Sequence, residues 1–189
     1  SFAGQYETYL NVVGIENLSK AIITCMRSIT SERVVTYRNF KGMPALNRFM
    51  PVLVQKLIHA ETSAVVFSVN PITGNLNEVV INANWGLGPS IVEGITIPDT
   101  YLVKKEPLEI QTHLIGEKKT MSVITSNGIT QAETPSSKRI MSSITKEQIF
   151  ELTDLAISLE QNFGWAVDIE CSYEAGKLYL IQCRPVTSI

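Results

Sequence analysis

From Val167 to Pro185 the chain alternates apolar and polar residues on both sides of Glu174-Ala175-Gly176-Lys177. Period two around a glycine predicts a β-hairpin. A three-residue loop, Ala175-Gly176-Lys177, sets Glu170 opposite Gln182 and Asp168 opposite Arg184. One face then carries Asp168, Glu170, Ser172, Gln182 and Arg184. The other carries Val167, Ile169, Cys171, Tyr173, Tyr179, Ile181 and Cys183. A two-residue loop would slip the pairing by one and send Glu170 and Gln182 to opposite faces. The cleaner separation of apolar from polar residues favours the three-residue loop.

The rest of the chain alternates between the two periods. Leu18, Ala21, Ile22, Cys25 and Ile29 recur at helical spacing and predict a helix over 15–29. Ser31 is placed to cap a second helical stretch through Tyr37. Lys41 to Pro51, with Gly42 and Pro44, is a connection. V-L-V-Q-K-L at Val52–Leu57 predicts a strand, and so do Ser63–Val69 and Glu78–Asn84, with a turn at Asn70–Asn75. Pro89 suits the first turn of a short helix, Ser90 to Val92, and Pro98 to Tyr101 opens another strand. Leu108–Ile115 and Lys119–Thr125 flank Gly116-Glu117-Lys118 and predict a second hairpin, followed by a loop over 127–143. Thr145 with Gln148 three residues later is a capping box. It opens a helix whose core stripe is Ile149, Leu152, Leu155, Ala156, Leu159 and Phe163, and Gly164 ends it. Strands and helices interspersed with hairpins predict an α+β fold, mostly antiparallel sheets with packed helices.

Composition narrows the function classes. At 44% hydrophobic and 18% charged, the 189 residues are ordinary globular material. A net charge of −2 gives no reason to expect nucleic acid or an anionic membrane as partner. No apolar run approaches the roughly 20 residues of a membrane span. No signal peptide is visible at S-F-A-G, and the absence of an initiating Met leads us to expect a piece of a longer protein. Cys25, Cys171 and Cys183 form no C-x-x-C pair and no disulfide framework; Cys171 and Cys183 fall on the apolar hairpin face and read as buried thiols in a reducing cytoplasm. Two histidines, His59 and His113, are too few for a histidine-rich metal site.

The chemistry worth weighing sits mainly in the last hairpin. A carboxylate facing an amide oxygen, Glu170 and Gln182, is a pair of hard oxygen ligands suited to Mg²⁺, which keeps several waters and shares phosphate oxygens. Arg184, two residues on, can fork onto a phosphate. The competing reading is a solvated outer face with a cross-strand ion pair. Gln55 is either an outward-facing residue of its strand or an amide that hydrogen-bonds a ligand. Near the start, Gly4 permits close backbone approach and Thr8 offers a hydroxyl. W-G-L-G-P-S at Trp85 lacks the spacing of a phosphate-binding loop and reads better as a tight turn. The basic pair Lys138-Arg139 reads as surface.

Seven stretches in order carry a resemblance. They are S-F-A-G-Q-x-x-T-Y-L-N at Ser1, Q-x-L-I at Gln55, F-S-x-N-P-I-T-G-N at Phe67, I-N-A-N-W-G-L-G at Ile81, P-D-T-Y at Pro98, V-D-I-E ending at Glu170 and I-Q-C-R-P at Ile181. Together they span the whole chain. In these words it resembles the nucleotide-binding domain of the phosphoenolpyruvate synthase, pyruvate phosphate dikinase and rifampin phosphotransferase group. The resemblance implies an ATP-grasp fold, with residues 1–189 as the C-terminal portion of the domain and its upstream part missing. It implies ATP and Mg²⁺ as ligands. Gly4 and Thr8 would lie by the phosphates, Gln55 by the adenine, Glu170 and Gln182 on the metal and Arg184 on phosphate. It also implies a cytoplasmic enzyme that splits ATP to AMP and phosphate and passes a phosphoryl group through a histidine on another domain to pyruvate or a similar acceptor. The group's upstream R-S-S arginine and lysine, and the acceptor and phosphohistidine domains, lie outside this sequence. The fragment alone is therefore expected to bind ATP poorly and not to turn over. The alternatives are a rifampin-type antibiotic phosphotransferase and a non-catalytic nucleotide-sensing module.

Overall fold

The computed structural model describes residues 6–42, 50–126 and 128–187. The chain divides into two compact units, Ser1–Leu57 with Ile124–Ile129, and Ile58–Val123 with Thr130–Ile189.

In the first unit, α1 (Ile15–Arg27) runs into a 3-10 turn, Ser28–Thr30, and α2 (Glu32–Phe40) follows. Ser31 caps α2 as its position predicts, its side chain accepting from the Val34 amide. The Asn11 side chain donates to the carbonyls of Thr125 at 2.7 Å and Gly128 at 2.9 Å. Val52–Leu57 is not a strand. An apolar run becomes a strand only where a neighbour completes its ladder, and this run joins no ladder among the described residues. Leu53 is accordingly 84% exposed.

The second unit is built on a six-stranded antiparallel sheet, ordered β4-β3-β2-β1-β7-β8. Its strands are β1 (Thr62–Phe67), β2 (Glu78–Trp85), β3 (Asp99–Lys104), β4 (Glu109–Leu114), β7 (Val167–Glu174) and β8 (Lys177–Pro185). A separate two-stranded sheet pairs β5 (Thr120–Ile124) with β6 (Ile129–Glu133). Between them come the short helices α3 (Pro89–Val92) and α4 (Ser136–Arg139) and the long α5 (Lys146–Phe163). This α+β, mostly antiparallel architecture is the one the sequence predicts.

Alternation splits the large sheet into unlike faces. Ala64, Val66, Val79, Ile81, Ala83, Tyr101, Val103, Val167, Ile169, Cys171 and Tyr173 point one way and are buried. Ile149, Leu152 and Ala156 of α5 join the same core. On the opposite face Val65, Phe67, Val80, Asn82, Thr100, Leu102 and Glu170 are all half-buried. This second face is partly open, with Ser63, Asn84, Asp168 and Ser172 on it buried, and it carries the polar half of the last hairpin. α5 itself begins at the full Thr145–Gln148 capping box and ends at Gly164 with φ 74°.

Three expectations need correction. The second hairpin does not form: β4 pairs with β3 at the edge of the large sheet, and β5 pairs with β6. Residues 127–143 are consequently not a loop, since they supply β6 and α4. Period two identifies strands but not partners, and each strand here found a different neighbour from the one nearest in sequence on the predicted side. The third correction concerns the last hairpin. Glu174 pairs with Lys177, so its loop is the two residues Ala175-Gly176. Both have positive φ, 50° and 75°, as a tight type I′ turn requires.

Candidate functional site

The two-residue loop alone would have separated Glu170 from Gln182. A β-bulge restores the pairing. Cys171 is opposite Leu180 while Glu170 is opposite Gln182, so Ile181 is an extra residue on β8. Beyond the bulge Asp168 faces Arg184. Glu170, Gln182, Asp168 and Arg184 thus share the open face, in the predicted pairing but by a different route. The bulge also changes the turn-proximal half: Tyr179 lies opposite Ser172 on the open side, and Leu178 instead packs against the core. Cys171 is buried and Cys183 packs against the same core.

Within this cluster Arg184 forks onto one oxygen of Asp168, Nε at 2.8 Å and a terminal nitrogen at 2.7 Å. The cross-strand ion pair weighed against a functional reading is therefore present. It does not saturate the cluster. The other oxygen of Asp168 is buried with no hydrogen-bond partner among the described residues. Burial pushes the Asp168 carboxyl up from its ordinary range, against the pull of Arg184. Burial pushes Glu170 up as well; Arg184 pulls it down and the Asp168 charge adds to the rise. Two carboxylates side by side, one guanidinium and an orphan oxygen leave the cluster short of positive charge.

Whether the group fits Mg²⁺ is a matter of donor chemistry. One carboxylate and one amide oxygen on directly opposed residues, one of them half-buried, form a hard-oxygen pair of the size that Mg²⁺ takes alongside phosphate and water. A cation there would offset the burial of Glu170. The described residues contain no group of three or more His, Cys, Asp or Glu placed to hold a metal on their own.

The remaining predicted residues belong to the first unit. Gly4 lies outside the described residues. Thr8 is exposed, and Gln55 is exposed with an interaction of its own. The glycine-rich passage has a packing explanation. Gly86 has φ 75°, and a Cβ there would come within 2.4 Å of the Ser122 carbonyl oxygen. The Leu87 amide donates to that same carbonyl at 2.9 Å. The basic pair is engaged locally: Arg139 pairs with Glu133, and Lys138 lies 4.7 Å over the Trp85 ring.

Sequence reading missed a second charged cluster. Asp99 and Lys118 are both fully buried, their charges 2.5 Å apart. Asp99 also accepts from the Gly116 amide at 3.0 Å, and from the Ser143 amide and hydroxyl, each at 2.7 Å. Neither residue stood out, because Lys118 looked like the polar tip of a hairpin loop. No helix among the described residues is long and apolar enough to cross a membrane.

The family model of the pyruvate phosphate dikinase AMP/ATP-binding domain matches residues 1–189. A probable phosphoenolpyruvate synthase of Methanocaldococcus jannaschii is 40% identical over the whole chain, which covers 16% of that protein. The phosphoenolpyruvate synthase of Pyrococcus furiosus is 36% identical, again over the whole chain, which covers 24% of it. The rifampicin phosphotransferase of Bacillus cereus is 34% identical over the whole chain, which covers 22% of it. The chain thus spans a quarter or less of these relatives. The match of the family model to all 189 residues makes the chain a member of the pyruvate phosphate dikinase AMP/ATP-binding domain family.

Proposed function

We propose that this domain binds ATP with Mg²⁺ as the nucleotide-binding part of a phosphotransferase of the phosphoenolpyruvate synthase type. The observation that carries the reading is the register that puts Glu170 directly opposite Gln182 on the open face. Glu170 and Gln182 would hold the cation, which when bound supplies charge neutralisation to the phosphate oxygens. Arg184, anchored by Asp168 and about one-third exposed, is positioned to turn its remaining donors toward phosphate. Gly4 and Thr8 would serve the phosphates, and Gln55 the adenine. In this reading the domain's part in catalysis is alignment and electrostatic stabilisation. The whole protein would release AMP and phosphate, with the phosphoryl group carried by a histidine on another domain to pyruvate. A cytoplasmic location fits that chemistry.

A rifampicin-type acceptor is the second reading, favoured by the 34% identity to a rifampicin phosphotransferase. An assay of the full-length protein for AMP formation, with pyruvate in one arm and rifampicin in the other, separates them. Glu170→Ala is expected to lower AMP formation by about a hundredfold or more, the usual scale for losing one electrostatic partner of the transition state. Turnover unchanged in Glu170→Ala would remove the basis for the assignment.

A further inference from the structure

The line of residues through Glu170 and Gln182 continues across the sheet. Val65 is the register partner of both Glu170 and Asn82, and Asn82 is the partner of Thr100. Gln182, Glu170, Val65, Asn82 and Thr100 therefore face the same side along one row transverse to the strands. Asn82 is two strands from Glu170, about 10 Å at ordinary strand spacing.

The neighbouring row shows what these central strands otherwise place on the open face. There Phe67, Val80 and Leu102 follow Asp168 in register, and all three are apolar. Asn82 and Thr100 interrupt that apolar strip. The two asparagines of β2 on this face are used differently. Asn84 is fully buried and its amide nitrogen donates to the Ser90 hydroxyl at 2.9 Å and the Thr120 carbonyl at 3.1 Å. Asn82 is half-buried, and its side-chain oxygen accepts from the Thr100 hydroxyl at 2.9 Å. That bond fixes the amide plane. It leaves the Asn82 amide nitrogen with no hydrogen-bond partner among the described residues, on the face that carries the Glu170 pair.

We infer that Asn82, oriented by Thr100, is a second contact point for the nucleotide, its amide donating to a phosphoryl oxygen of ATP held at Glu170 and Gln182. The inference rests on the proposed ATP site and adds a residue to it. Thr100 is a positioning residue, since it acts through Asn82. An amide suits this place: it donates to an anion without bringing a fixed charge onto a half-buried sheet.

The test is Mg·ATP binding by the full-length protein, measured by isothermal titration, with thermal unfolding as a fold control. Asn82→Ala is expected to weaken binding about tenfold to a hundredfold, the range for a hydrogen bond to a charged group. Asn82→Asp keeps the shape and the acceptor for Thr100 but faces the phosphates with a negative charge, so it should bind more weakly still. Thr100→Val should lose part of the affinity and Thr100→Ser should restore it. Should Asn82→Ala fail to fold, the shape-matched Asn82→Asp decides. Wild-type affinity in both Asn82 variants, with binding lost in Glu170→Ala, overturns the contact and leaves the ATP site standing. Asn82→Asp binding as well as wild type while Asn82→Ala does not would also overturn it, because a structural or hydroxyl-binding role tolerates that exchange. Wild-type affinity in Glu170→Ala as well would bring down the ATP site and this contact together.

Discussion

Two aspartates of the second unit each meet a cation, and they end differently. Asp99 opens β3 and is sealed. Its two oxygens take four donors, from Lys118, the Gly116 amide, and the amide and hydroxyl of Ser143. Asp168 lies on β7 and gives one oxygen to Arg184, while its other oxygen has no partner among the described residues and the Glu170 carboxylate lies nearby. A closed network of that kind holds a fold together: it ties the start of β3 to the segment before β5 and to the approach to α5. A network left open and short of positive charge retains capacity for a ligand. The number of satisfied donors and acceptors separates the two roles better than the presence of an ion pair does.

The largest expected effect would break the comparison outright. Asp99→Asn leaves the Lys118 ammonium buried without a counter-charge and should cost about 3–5 kcal/mol, read as a lowered denaturant midpoint of the full-length protein. Loss below about 1 kcal/mol would mean that the Asp99 cluster is not a lock.

Asp168→Asn supplies the sharper half. The new amide can occupy the position of the orphan oxygen, and Arg184 still reaches water. The stability cost should stay below that of Asp99→Asn, because Arg184 is about one-third exposed and can still reach water, while Mg·ATP affinity falls. A stability loss equal to that of Asp99→Asn would erase the distinction.

The smallest effect concerns pH. Burial raises Glu170 from an ordinary value of 4.5 and Asp168 from 3.8. A carboxyl with a raised folded value binds its proton more tightly folded than unfolded. Its contribution to stability therefore increases as pH falls from above the folded value toward the ordinary one, and at neutral pH the ionised form is penalised in full. Glu170→Gln should then unfold at a slightly higher temperature than wild type at pH 7. That advantage should shrink as the pH drops toward 4.5, and only the wild type should gain from added Mg·ATP. A lower unfolding temperature for Glu170→Gln at pH 7 would show that the charge is already compensated inside the protein.

The sequence was most legible where one residue type dictates one local geometry. Thr145 and Gln148 announced the start of α5 and Gly164 its end, because capping needs only neighbours in the chain. Alternation located β1, β2 and both strands of the last hairpin. It failed at Val52–Leu57, which joins no ladder among the described residues, and at 108–125, where two alternating runs joined different sheets. The last hairpin shows both outcomes at once. Its pairing of Glu170 with Gln182 was readable from the wish to separate apolar from polar residues. Its loop was misread, because a bulge at Ile181 compensates a tighter turn and leaves no signature in composition.

What the sequence determined alone was therefore the α+β class, both ends of α5, the pairing of Glu170 with Gln182 and, through its ordered words, the family. Only the tertiary structure decided which strands adjoin. Strand order brought Asn82 and Thr100 into one row with Glu170, buried Lys118 against Asp99, and left Asp168 with an unclaimed oxygen. The physical reason is range: caps and alternation are set by bonds a few residues long, whereas a sheet's rows join residues more than a hundred positions apart that meet only once the whole sheet has formed.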